Sequence, residues 1–85
     1  MTNAERTFIQ MMNATMKLFE DYQTAYTKEG NPRYEIAPRF ALMVQRCTNW
    51  AILAGLIEKR SFDETKPVEV CKQYYKLVEL YKKVI

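Results

Sequence analysis

Chain breakers are scarce in this sequence, and their positions constrain the fold more than any other feature. Two glycines and three prolines occur in 85 residues. Gly30-Asn31-Pro32 forms one break, because glycine accepts the left-handed conformation that ends helices and proline cannot continue one. Pro38 is suited to open a second helix, and Thr65-Lys66-Pro67 marks the start of a third. Between these points no Gly/Ser linker, internal repeat or low-complexity tract interrupts the chain. Three long uninterrupted stretches remain, and each carries a helical repeat.

The first stretch predicts a helix over about 3–28. Phe8, Met12, Thr15, Phe19, Tyr22 and Tyr26 fall on one line at 100° per residue, flanked by Ile9 and Met16 on one side and Met11, Leu18 and Ala25 on the other. This apolar arc covers about 200°, broader than the stripe of a one-sided surface helix, so two neighbours are expected. Thr2 and Glu5 fit a capping box. The second helix is expected over 38–59, with Phe40, Met43, Cys47, Trp50, Ala54 and Ile57 in line and Val44 and Ala51 beside them. Its far side carries Ala41, Gln45, Thr48, Ile52 and Leu56, so its C-terminal half is apolar nearly all round, which marks it as central or as an interface helix. Gly55 near its end fits either a close backbone approach or fraying. The third helix is expected over 67–84, on Val70, Tyr74, Leu77, Tyr81 and Val84, with Thr65 as its N-cap and Lys82 and Lys83 in its last turn. The fold class read from this pattern is all-α: one domain spanning residues 1–85, built as a three-helix bundle and expected to associate into an oligomer.

Composition narrows the function classes. The chain has no histidine, two cysteines and a net charge of +3. Without histidine it lacks the commonest general base and metal ligand. Cys47 and Cys71 have no metal-binding spacing and read as small buried apolar residues. No phosphate-cradling glycine loop or nucleophile motif occurs. A non-enzyme is expected, with no catalytic residue, metal or cofactor. No run approaches the ~20 apolar residues that cross a bilayer, and the N-terminal residues do not have the layout of a signal peptide. Cytoplasmic localisation is expected, in the host if the protein is viral.

Two groups of residues are candidates for contacts. Arg39 and Arg46, seven residues apart, share a stripe of the second helix that continues to Leu53, with Trp50 as its neighbour. Together with Arg33 and the free amides of the helix start they fit a corner for an anion or an acidic partner. The alternative is internal pairing with Glu20, Asp21 or Glu35. Met11, Leu18, Tyr34, Leu56 and Tyr75 lie off the main stripes and are candidates for an exposed interaction surface, against ordinary core and scattered surface positions. Lys72, Lys76 and Lys83 cluster on the outer face of the third helix; with Glu69 and Glu79 among them, they read as a self-paired solvated face, a Glu79–Lys83 pair included.

Asn31-Pro32-Arg33-Tyr34, followed by Arg39 and Leu42, resembles the turn and second helix of small phage proteins that sequester cyclic nucleotides and so blunt host immunity. Gly30-Asn31-Pro32-Arg33-Tyr34-Glu35 followed by a helix is similar to the omega subunit of RNA polymerase. The first resemblance implies a nucleotide ligand and the second a large protein partner. The leading expectation is a small accessory or inhibitor protein that presents helical faces to a macromolecular partner or to copies of itself. The alternative is a binder of a phosphate-bearing ligand, a nucleotide or nucleic acid, through Arg33, Arg39 and Arg46.

Overall fold

The computed structural model describes residues 1–29, 36–59, 62–63 and 65–85, with side chains described over 1–21, 38–59, 62–63 and 65–85. It contains three helices, α1 (Asn3–Glu29), α2 (Ile36–Leu53) and α3 (Pro67–Val84), which all touch one another as a three-helix bundle. The 27 residues of α1 measure about 40 Å at 1.5 Å per residue, and this helix accounts for the 41 Å long dimension of the molecule. The seam between α1 and α2 is the most extensive, and α3 lies across both.

α1 begins as its sequence requires. Thr2 Oγ1 accepts the Glu5 N–H at 3.1 Å while Glu5 Oε1 accepts the Thr2 N–H at 3.2 Å, completing the capping box. These bonds with Thr2, backbone first and then side chain, hold the Glu5 carboxyl below its ordinary pKa.

α2 departs from expectation at both ends. It starts at Ile36 rather than Pro38 and stops at Leu53, six residues before Lys59. The stop is a Schellman turn: the Leu56 N–H reaches Ala51 O at 2.9 Å, the Gly55 N–H reaches Ile52 O at 3.0 Å, and Gly55 sits at φ 76. A Cβ added to Gly55 would meet nothing within 4 Å, so the glycine is needed for its backbone angle and not for a close approach. Leu56 is the residue that such a turn folds back onto the helix. It packs, half-buried, against the core.

α3 also starts differently from its reading. Lys66, not Thr65, is the N-cap, with extended backbone and no side-chain cap. Pro67 disfavours helical geometry in the residue before it, which places the boundary there. Thr65 instead bonds Asp63, through its hydroxyl at 2.6 Å and its N–H at 2.9 Å, and these two bonds lower the Asp63 pKa.

The core draws on every helix: Phe8 and Met12 from α1, Phe40, Val44, Cys47 and Ala51 from α2, Val70, Tyr74 and Leu77 from α3. On α2 the buried line runs through Val44 and Ala51, while Met43 and Trp50 are only half-buried. Three polar side chains are buried with them. The Thr15 hydroxyl donates to Met11 O at 2.7 Å and lies 3.2 Å from Cys47 Sγ, bridging α1 and α2. The Thr48 hydroxyl donates to Val44 O at 2.8 Å and accepts from Gln73 Nε2 at 3.2 Å, bridging α2 and α3. Among the described residues no buried side-chain polar atom is left unbonded. At one end, Phe19, Phe40 and Tyr74, one ring per helix, meet with centroids 4.5–5.3 Å apart.

Two outcomes follow from this arrangement. Gly55→Ala strains the left-handed C′ position and is expected to cost about 1 kcal/mol, a fall of roughly 4–8 °C in the melting temperature of a domain this size. Thr48→Val strands the buried Gln73 amide at a cost of about 1–3 kcal/mol, whereas adding Gln73→Met removes the unmet donor and recovers most of that loss. Chemical denaturation of the single and double variants reads the difference as a coupling between the two sites.

Candidate interaction face

α3 covers one flank of the α1–α2 pair, and the opposite flank carries the arginines. Arg39, Leu42, Arg46, Asn49 and Leu53 recur every three or four residues and are all exposed, so they form one outward stripe of α2. Arg39 and Arg46 line the same cleft, about 260 Å³, with Ala14 and Leu18 of α1 and Leu42 and Met43 of α2. Leu42 is 44% exposed and Leu53 68%. The face is therefore an apolar groove along the α1–α2 seam with two guanidinium groups on its rim.

Neither arginine pairs with Glu20 or Asp21; the ion pairs that join described residues are Lys66–Glu69 at 3.9 Å and Glu79–Lys82 at 3.7 Å. Both arginines lie in solvent, so the apolar neighbours impose no cost of burying a charge. Glu79 thus meets Lys82 at i,i+3, in place of the expected Lys83. Such exposed pairs contribute little.

The expected interaction residues are distributed differently. Met11 and Leu18 are half-buried and packed against the core, as is Leu56 in its helix-ending turn. Leu18 keeps one side on the groove. Tyr75 of α3 is 55% exposed, but its ring packs edge-on against Phe19 of α1 at 5.9 Å, and it does not line the arginine cleft. Arg33, Tyr34 and Glu35, the third expected internal partner of the arginines, lie outside the described residues, and so do the side chains of Tyr22, Tyr26 and Ala25. Leu42 is the exposed cleft residue that periodicity alone does not single out. The signal is present, since it falls about 200° from Phe40 around the helix, within about 60° of both arginines, and lies between them along the chain.

A second depression, about 550 Å³, lies between α1 and α3 and is lined by Asn13, Met16, Lys17, Phe19, Glu20, Tyr74 and Val78. The Tyr81 hydroxyl donates to Asn13 Oδ1 at 2.6 Å, tying α3 to α1 at the exposed rim. Burial raises the Tyr74 pKa. Among the described residues no group of histidine, cysteine, aspartate or glutamate side chains is arranged to hold a metal ion. Comparison with protein-family models, curated proteins and solved structures finds no match to this chain.

Burial pushes the Cys47 thiol up to about 11, with the Thr15 contact offsetting part of the rise. The thiolate is the reactive form, so Cys47 is expected to resist thiol reagents at neutral pH until the chain unfolds. The folded thiol stays protonated while the unfolded one ionises near 9. Its contribution to stability is therefore full below pH 9 and declines as pH rises toward 11. Stability measured across that window should fall less steeply in Cys47→Ala than in the wild-type chain.

Proposed function

We propose that the protein is a small helical interaction module that docks to a macromolecular partner, or to copies of itself, through the α1–α2 face. The supporting observation is the exposed stripe Arg39–Leu42–Arg46–Leu53, which runs beside a groove floored by Leu18 and Met43. Apolar patches rimmed by polar groups mark interaction sites, and arginine is enriched at such sites. The breadth of apolar surface on α1 and α2 is not the support, because packing of all three helices absorbs most of it. A non-catalytic accessory or inhibitor role in the cytoplasm fits this reading. No helix among the described residues is long and apolar enough to cross a membrane.

Site-specific photo-crosslinking tests the proposal. A crosslinker in place of Leu42 or Leu53 is expected to give a discrete product in cells, and one in place of Lys72 or Lys76 on outer α3 is expected to give none. A product of twice the chain mass indicates self-association. Equal yields from both faces, or none from α2, contradict the proposal.

One observation favours a second reading: two arginines without an ion-pair partner among the described residues border a single cleft, and the first turn of α2 carries no acidic residue. A phosphate-bearing ligand bound there would raise the melting temperature. Arg39→Ala or Arg46→Ala would abolish the shift. No shift with nucleotides or oligonucleotides at low salt removes this reading.

A further inference from the structure

We propose that the occupant of the α1–α2 groove is an amphipathic helix of a different protein, carrying carboxylates one heptad apart beside its apolar stripe. This inference rests on the docking reading above and names the partner's chemistry.

Three features converge on it. Arg39 and Arg46 are seven residues apart on α2, about 10 Å along the axis, and both border the same cleft. A helix packed along the seam repeats a given face every seven residues. Carboxylates at i and i+7 on it meet the two guanidinium groups in register, each able to accept a forked pair of N–H bonds. Second, the cleft is floored by Leu18, Leu42 and Met43, with the small Ala14 leaving room between the helices. Leu53 extends the same stripe away from Arg39. A free phosphate group would use the arginines and leave this apolar floor wet, whereas an amphipathic helix engages both, as in helix-in-groove recognition. Third, neither Glu20 nor Asp21 of this chain answers the arginines, although both are described and exposed. A second copy related by a two-fold axis through the cleft would set arginine stripe against arginine stripe. That arrangement is repulsive, in a chain whose net charge is already +3.

The test uses the full chain and two synthetic three-heptad peptides with one leucine stripe. The first carries glutamate at the heptad-spaced flanking positions and the second carries lysine there. Titration is followed through Trp50, the single tryptophan, which is half-buried next to the stripe. The glutamate peptide is expected to bind at least tenfold more tightly than its lysine twin. The double variant Arg39→Glu, Arg46→Glu is expected to reverse that preference. Both positions are exposed, and circular dichroism checks that the variant remains folded. Equal binding of the two peptides, failure of both to bind, or a preference that survives the charge reversal overturns the inference. So does arginine-dependent binding of pyrophosphate without any peptide preference. Crosslinks from Leu42 alongside any of those results leave the docking reading standing and sink only the acidic helix; absence of crosslinks sinks the docking reading itself.

Discussion

The hydrogen bond from Gln73 to Thr48 decides which surfaces of this protein are inside and which are free. It fixes α3 against the flank of α2 that carries Thr48, at the level where Thr15 and Cys47 join α1 to α2 on the other side of the core. A buried amide without its acceptor costs more than the bond contributes, so a rotated or shifted α3 is penalised sharply. With α3 held there, the opposite flank of the α1–α2 pair has no third helix over it. The groove with Arg39 and Arg46 is the consequence.

The bundle's polar groups also explain its ordinary-looking core. Threonines at positions 15 and 48 return their hydroxyls to the carbonyls of Met11 and Val44, one turn back. Each then has capacity left for a neighbour on another helix. The apolar part is closed at one end by the ring triangle of Phe19, Phe40 and Tyr74, where each contact adds about 0.5–1.5 kcal/mol beyond burial. Specificity of packing comes from these few directional contacts, and bulk stabilisation comes from Phe8, Met12, Val44 and Leu77.

Much of this was legible in the sequence, and the exceptions have physical reasons. Periodicity placed Phe8, Met12, Thr15, Val70, Tyr74 and Leu77 inside and put Arg39 and Arg46 on a common stripe. It does not reveal the end of α2, because a glycine near a helix end fits packing, fraying or a left-handed stop alike, and here the left-handed angle ends the helix. That same turn brings Leu56 onto the core and removes it from the surface. The start of α3 differs from the capping pattern because the restraint that Pro67 places on Lys66 outweighs the capping preference of Thr65. Apolar breadth on α1 and α2 does not by itself reveal exposed surface. In an arrangement where every helix touches the other two, Met11 and Leu18 are spent partly on the core.

The central claim is that α3 leaves Leu42 and Leu53 facing solvent while Val44 and Leu77 are sealed. Methyl NMR of the full chain, at a concentration where it is monomeric and with an inert soluble paramagnetic agent, measures this directly. Strong broadening of the Leu42 and Leu53 methyls, with Val44 and Leu77 unaffected, is the expected result. Protection of Leu42 and Leu53 in the free monomer would contradict it, because no open groove would then exist beside the arginines.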